Sequence, residues 1–505
     1  MHQSIRYKIR LKFGSVTSVG NKWKPLVGFV FILFIMLNSN FQLYCQKVIT
    51  LSDPAYIDES IRRIKETDDN NLLFLKFTGP QTYSYLELMS IIESSIILTN
   101  SDLQEINSAS IVSEQGNMKI LAEGFIRLGD HILLHGNAVD TLTMDTQLCL
   151  IWLDLELNIL QTKFYGSESE QEVFFSYCVN DQGNIVFVGE YPVSSSYQEL
   201  VIIEIDSTGN FIGMHHTGTF MVFPDVVFFE QEQCYVIGEF NHLYKYDRNF
   251  NQIDVFEPVL YDAFFPSGQP LKISDSLYIR TGFRSTATYP FKTDITRVVF
   301  NVNAEYSGFE QIIIPEFYDV PAGGNAVSST DLESFFLGGT SNSTNCPFVN
   351  EDTQFALQKF NLEGTIYWEE LYETGGCAVM IQVLALQNGG CLMAGQIYDW
   401  HNSPTQQRDL FFIKVDDEGI VTGIEEDETS PAKITVYPNP GINQLNLSVD
   451  DEVLKFTMYD FNGRKVLGKM HPGKTINVSK LNPGFYIWWA ELHDGTTLWG
   501  KWIKQ

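Results

Sequence analysis

The apolar positions of this chain fall in short runs of four to seven residues, rich in β-branched and aromatic side chains and separated by Gly, Asn, Asp and Pro. Runs of that length and make-up predict strands rather than helices. One kind of run ends in glycine and recurs: Leu72–Gly79, Ile132–Gly136, Ile185–Gly189, Cys234–Gly238, Leu277–Gly282, Phe335–Gly339 and Cys391–Gly395. Successive glycines lie 44 to 57 residues apart. A second run ends in Asp or Asn with Gly a few residues later, clearest in Leu200–Asp206 with Gly209, Phe355–Asn361 with Gly364 and Leu410–Asp416 with Gly419. Weaker copies end at Asp154, Asp247 and Asn303. Asx side chains cap backbone N–H groups and Gly takes positive φ, so these are turn signals. Only Ile57–Lys65 and Leu86–Ile97 have a helical spacing of apolar residues.

Each unit therefore reads strand, polar loop, strand, turn, strand. A sheet of that size cannot bury both faces alone, so neighbouring units must stack radially. The expected fold is all-β: a propeller of about seven blades over residues 46–421, with a plain multi-sheet β domain as the alternative reading of the same spacing.

The pattern changes near the C-terminus. Residues 422–432 include Glu425, Glu426, Asp427, Glu428 and Pro431, the make-up of a solvated linker. Beyond it, strands alternate cleanly. Leu445, Leu447 and Val449 share one face. Phe461-Asn462-Gly463 is a hairpin turn between Lys455–Tyr459 and Lys465–Leu467. A second turn at Asp494-Gly495 joins Phe485–Ala490 to Thr497–Ile503. The prolines of Tyr437-Pro438-Asn439-Pro440 exclude a helix there. A small antiparallel sandwich over 433–505 is expected.

Several features of this tail occur in a fixed order: the Tyr437-Pro438-Asn439-Pro440 opening, Asp460 with Gly463 and Arg464, Leu481 with Gly484 and Tyr486, and a basic end with Lys501 and Lys504. In this the tail resembles the type A C-terminal sorting domain of the Bacteroidetes type IX secretion system. The resemblance implies passage through the Sec translocon, recognition by the type IX translocon and its sorting peptidase, and delivery to the cell surface or medium.

Charge agrees with a boundary before the tail. The whole chain carries a net charge of −29. Residues 46–430 hold 56 acidic and 18 basic side chains, whereas 431–505 hold six and nine. An acidic body without a basic patch excludes nucleic acid as a partner. Residues 1–45 carry six basic residues, no acid and the apolar run Leu26–Leu37. Twelve residues of helix span ~18 Å at ~1.5 Å each, short of the ~20 residues a bilayer needs. The segment reads as a signal peptide with cleavage near Cys45-Gln46, the alternative being an uncleaved anchor. Gln42-Leu43-Tyr44 is a poor lead-in for lipidation of Cys45. Of the six later cysteines, at least two are expected to be buried free thiols.

No catalytic, cofactor or metal site is expected. The chain lacks a Gly-x-Ser-x-Gly elbow, a His-Glu-x-x-His pair, a P-loop and a Cys-x-x-Cys spacing. His131 and His135 share a strand face but stand ~13 Å apart at ~3.3 Å per residue, too far to hold one metal. His215 and His216 should point to opposite faces. Asp154, Asp206 and Asp416 recur at equivalent places, which predicts turn capping rather than a catalytic pair. Three functions fit: a surface or secreted protein whose propeller binds a glycan or protein, an exported hydrolase of glycans or peptides with its site in the channel, and a surface-layer component.

Overall fold

The computed structural model describes residues 2–9, 45–52, 58–79 and 93–504, apart from 114–115, 168–170, 195–196, 240–241, 257–263, 267, 286–291, 304, 313–317, 344–349, 402–406, 423–434, 439, 449–452, 461–463 and 494–496. Two compact units emerge, Met1–Gly423 and Ile424–Gln505. The apolar run Leu26–Leu37 and nearly all of the expected linker lie outside the described residues.

The described residues of the first unit form seven antiparallel sheets. The first holds Asp58–Glu66, Leu72–Gly79, Glu93–Thr99 and Glu105–Ile111. The second holds Met118–Leu128, His131–Asp140, Thr146–Leu153 and Ile159–Tyr165, and the third Val173–Val179, Ile185–Ser194, Tyr197–Ile205 and Phe211–Phe220. Asp225–Phe229, Cys234–Glu239, His242–Asp247 and Gln252–Phe256 make the fourth. In the fifth and sixth the inner strand is broken in two, Phe264–Pro266 with Leu271–Lys272 and Val320–Pro321 with Val327–Ser328. The seventh takes Cys377–Ala385, Cys391–Tyr398 and Arg408–Val415 from one end of the chain. From the other end it takes Cys45–Ser52, which pairs with Arg408–Val415, and His2–Ile9 outside that.

Apolar side chains on both faces of each sheet bind it to two neighbours. Leu75 and Ile96 of the first sheet pack with Ile120 and Leu134 of the second. Leu133 and Leu150 of the second meet Phe187 and Val201 of the third. Val188 and Ile202 of the third meet Phe228 and Tyr235 of the fourth. Phe229 and Val236 of the fourth meet Tyr278 and Phe300 of the fifth. Ile279, Phe335 and Met380 share one core across the fifth, sixth and seventh. Finally Leu392 and Phe412 of the seventh pack on Ile64 and Phe74 of the first. The ring is closed, and the unit is a β-propeller.

Polar bonds hold the closing seam in register. Gln382 Nε2 donates to Ile64 O at 2.7 Å, and Ile64 N donates to Gln382 Oε1 at 2.9 Å. Arg408 donates to Asp58 from its backbone at 2.9 Å and from Nη2 at 2.6 Å. Elsewhere outer strands grip the next sheet's turn: the Tyr165 hydroxyl donates to Gly209 O at 2.6 Å, and Tyr372 does the same to Gly419 O at 2.7 Å.

Five of the recurring glycines sit on the second strand of their sheets opposite a disruption of the inner strand, whereas Gly238 pairs with Asp225 in an unbroken ladder. Gly136 pairs with Ala122, Gly189 with Phe174 and Gly395 with Met380. In each case the inner strand then bulges by one residue, at Glu123, Phe175 or Ile381. Gly282 and Gly339 pair with Pro266 and Pro321, where the inner strands of the fifth and sixth sheets break. A Cβ on Gly136, Gly189, Gly339 or Gly395 would run into the carbonyl oxygen of the inner-strand residue just before its partner. Glycine is required there because the bulged strand presses against the second strand.

Three expectations are corrected. Asp58–Glu66 is a strand, not part of a helix, and so is Glu93–Thr99 from the second helical candidate. A bulge at Arg62 separates the buried Ile61 and Ile64 by three residues, and that spacing imitates a helical period. The same bulge lies opposite Lys76, so Gly79, paired with Asp58 near the strand's end, is not the register equivalent of the other glycines. In the fifth sheet the turn-capping residue is Asn301, not Asn303: its Oδ1 accepts from Asn303 N and Glu305 N, both at 2.9 Å.

The other Asx turns are built alike. Asp206 Oδ1 accepts from Thr208 N at 2.9 Å and Asn210 N at 2.8 Å, and Asp154, Asp247, Asn361 and Asp416 cap the residue four places on. The fourth turn residue has positive φ throughout. It is Gly209, Gly364 and Gly419 in the clear copies, but Leu157 (φ 66°) and Phe250 (φ 60°) in the weak ones. Both of these side chains are buried, so core packing offsets the cost of a left-handed non-glycine residue. Cys149, Cys178, Cys234 and Cys391 are free thiols, three of them buried, and Cys377 is disulfide-bonded.

The second unit packs a sheet of Thr435–Tyr437, Gln444–Ser448 and Thr475–Asn477 on one of Val453–Asp460, Lys465–Met470, Gly484–Leu492 and Thr497–Lys504. Leu445, Leu447 and Ile476 from the first face Phe456, Met458, Trp488 and Trp502 from the second. It is a small β-sandwich.

Because Gly395 has no room for a methyl group, Gly395→Ala should destabilise the propeller by about 1–3 kcal/mol. Gly116→Ala, with nothing within 4 Å of the added atom, should stay within about 0.5 kcal/mol. Thermal unfolding of the two variants checks this; equal midpoints would contradict it.

Candidate functional site

The inner-strand bulges at Arg62, Glu123 and Phe175 converge on the propeller's channel. A cavity of about 240 Å³ is lined by Arg62 and Arg63 of the first sheet, Glu123 of the second, Phe175 and Ser176 of the third, Val222–Asp225 before and in the fourth, Gly268 and Gln269 of the fifth, and Gly323 and Gly324 of the sixth. Most of these residues are the extra ones that the bulges and breaks expel from the ladders. Arg62 pairs with Glu123. Asp225 accepts from Arg280 Nε at 3.0 Å and Nη2 at 2.7 Å, both groups buried. Arg63 donates from Nη1 to Gly324 O at 3.1 Å, and burial lowers its pKa.

Two residues of the wall carry a buried donor with no hydrogen-bond partner among the described residues, Ser176 Oγ and Gln269 Nε2. At the rim, Phe223 is 61% exposed, holds φ at 51° and meets Phe175 edge to face at 5.0 Å between ring centroids. A bulky residue with positive φ is strained, a state that recurs where a side chain is held for use.

Histidines stand where a strand reading puts them. His135 is buried against Tyr177 at 4.6 Å and Phe187 at 5.4 Å, while His131 is exposed. Burial and then the charges of Arg63, Lys65 and Arg62 hold the His135 pKa down at about 3, so it is neutral. His215 and His216 touch different partners, Phe250 and Tyr191. Among the described residues no group of three or more His, Cys, Asp or Glu comes together to hold a metal ion.

The tail residues singled out by sequence divide into two sets. One is internal. The Tyr486 hydroxyl donates to Asn482 O at 2.7 Å, Leu481 packs against the core, and buried Lys504 donates to Val478 O at 3.1 Å and to Ile442 O. Pro438 O accepts from buried Trp502 Nε1 at 2.8 Å. The other set faces solvent: Tyr437, Pro440, Gly484, Lys501 and Arg464, which bonds back to Asp460. Asn439 and Gly463 lie outside the described residues. Sequence reasoning missed an apolar outer face beside them, with Phe485, Ile487 and Ile503 each at least 40% exposed. Strict alternation in Gly484–Leu492 was the available signal, since it sends Tyr486, Trp488 and Ala490 inward and these outward.

Two carboxyls in the propeller carry a pH signature. Burial raises Glu190 to about 7, with Oε2 left without a partner among the described residues, and burial followed by the charge of Glu59 raises Asp409 to about 7. Between pH ~4.3, where an unfolded Glu titrates, and about 7 the folded chain holds protons that the unfolded chain has released. Stability should therefore fall as pH rises through that window. Glu190→Gln should reduce this slope and raise the melting midpoint above pH 7. Midpoints recorded from pH 4 to 8 check this; an unchanged slope would contradict it.

Comparison with known proteins bears on both units. The propeller is similar in fold to the WD40 domain of Pan2 from Neurospora crassa, at 10% identity over 70% of this chain and 88% of that one, TM-score 0.41. Acylaminoacyl peptidase of Pyrococcus horikoshii aligns at 11% identity over 79% of this chain and 59% of the enzyme, TM-score 0.40. The WD40 domain of SCAP from fission yeast aligns at 8% identity over 71% and 85%, TM-score 0.34. No curated protein matches the chain. Residues 435–505 match the family described as "Secretion system C-terminal sorting domain". The second unit is thus a secretion sorting domain, and the chain that bears it is a secreted or cell-surface protein.

Proposed function

We propose that this chain is delivered by type IX secretion and that its propeller serves outside the cell as a non-catalytic binding module. The observation that carries the reading is the sorting domain at 435–505, joined to a closed propeller whose channel gathers side chains from six sheets. Binding is favoured over hydrolysis by the state of the channel carboxylates. Glu123 and Asp225 each turn a carboxyl to an arginine, whereas a glycosidase turns its two carboxyls to the scissile bond.

Residues 1–45 serve in this account as a Sec signal peptide. Cleavage near Cys45-Gln46 would remove His2–Ile9 and leave Gln46 onward to pair with Arg408–Val415. The seventh sheet would then have four strands, like the first four sheets.

The tail's address is its exposed set. Tyr437, Arg464 and Lys501, with the Phe485–Ile487–Ile503 face, are the groups a translocon can touch, while Leu481, Tyr486 and Lys504 keep the sandwich folded. Two variants separate the roles. Lys504→Met removes donors from two carbonyls and should destabilise the tail by about 1–3 kcal/mol. Ile487→Ser on the exposed face should cost the tail less stability than Lys504→Met, yet reduce the amount exported by a host with a type IX system. Fractionation of cells and medium, with melting curves of the purified chains, reads both effects; full export of the surface variant would refute the assignment. A glycan array run beside a glycosidase and peptidase screen tests the propeller, and turnover there would refute the binding role.

A further inference from the structure

The channel cavity has a chemistry narrower than "binding module". Its charges are unbalanced at one residue. Glu123 is engaged by Arg62, and Asp225 by Arg280. Arg63 alone of the lining cations has no carboxylate bonded to it among the described residues; its one side-chain hydrogen bond there is to Gly324 O. Guanidinium has five donors and stays charged, so most of its capacity is unused in a partly desolvated place.

Two more donors share the wall. Among the described residues Ser176, 4% exposed, leaves Oγ buried without a partner, and Gln269 leaves Nε2 buried without one. Buried polar groups are nearly always satisfied, so such orphans call for an explanation. Arg62, Arg63 and Lys65 stand on one strand, and their charges add to burial in holding the His135 pKa down. The rim adds an apolar surface, the strained and exposed Phe223 set against Phe175. The volume, about 240 Å³, lies below the ~300–1,000 Å³ of common ligand pockets and suits a small molecule.

We propose that this cavity binds a small ring-shaped carboxylate of the size and chemistry of a hexuronic acid. Arg63 takes the carboxylate, Ser176 and Gln269 donate to neighbouring oxygens, and the Phe175–Phe223 pair covers the apolar face of the ring. Charge-assisted bonds to a carboxylate are the strong ones in such a site. A neutral sugar would leave Arg63 desolvated without a counter-charge, which is the basis of discrimination.

The inference rests on the binding role proposed for the propeller. The test is calorimetric titration of the full chain with glucuronate and galacturonate, with glucose and galactose as neutral counterparts. At least one uronate should bind in the millimolar range or tighter, with neutral sugars weaker by about tenfold or more. Arg63→Gln should weaken the uronate by about tenfold or more, from the loss of one charged hydrogen bond. Phe223→Ala, which removes an exposed side chain, should weaken it several-fold while its melting midpoint is unchanged. No uronate binding up to ~10 mM, equal binding of neutral sugars, or uronate binding unaltered in either variant would each overturn the inference. A polymer that binds on the array and is indifferent to Arg63→Gln would overturn it too, yet leave the propeller's binding role standing.

Discussion

A strand that presses its carbonyl against a neighbour's Cα leaves no room for a Cβ, and that steric constraint organises the propeller. It recurs at Gly136, Gly189, Gly339 and Gly395, each opposite a disruption of the inner strand. Around it the ladder gives up one or more residues, and several of these line the channel, while Ile381 packs on the core between the seventh and first sheets. Glu123, Phe175 and Gly324 arrive there by this route, and Gln269 by the break in the fifth sheet's inner strand. The repeat seen along the chain is thus the backbone of the site rather than only a mark of the fold. Side chains differ from sheet to sheet because the constraint acts on the partner glycine and leaves the expelled residue free to vary.

Closure of the ring depends on the two ends of the propeller region meeting. Ile64 and Gln382 exchange two buried hydrogen bonds, Asp58 takes two from Arg408, and Cys45–Ser52 supplies a strand to the sheet made by the other end. The bonds across this seam fix register between segments far apart in the chain, and the shared core of Phe74 and Phe412 supplies the larger energy. The tail follows a different economy. With only two short sheets it relies on large side chains, Trp488, Trp502 and Phe456, and on the ammonium of Lys504 satisfying carbonyls that the strands leave open. Its family motif is therefore partly a folding requirement, and only the remainder is available for recognition.

Much of the architecture was legible because its signals are local. Turn capping by Asp206 or Asp416 needs only the next four residues, and alternation in Gln444–Ser448 needs only five. Legibility failed where a local signal had two sources. The bulge at Arg62 made a strand look helical, and the buried Leu157 and Phe250 took the turn position that glycine holds elsewhere. Asn303 was chosen over Asn301 because both are Asx residues at a strand end. The channel was not legible at all. Arg63, Ser176 and Gln269 come from three sheets, and none of them stands in a motif. Their juxtaposition follows from how blades are arranged about an axis, a property no short window contains. In the tail, the exposed aliphatic face was readable from alternation, but its meaning required knowing which side the second sheet covers.

The proposed receptor for a small carboxylate joins Arg63 and Ser176, each beside a bulge, to Gln269 at a strand break and Phe223 at the rim. The most direct measurement is a crystal structure of the full chain grown with glucuronate. The account requires ligand density in the cavity, with the carboxylate on Arg63, oxygens near Ser176 Oγ and Gln269 Nε2, and the ring against Phe223. An occupied site elsewhere on the propeller, with only solvent beside Arg63, would contradict it.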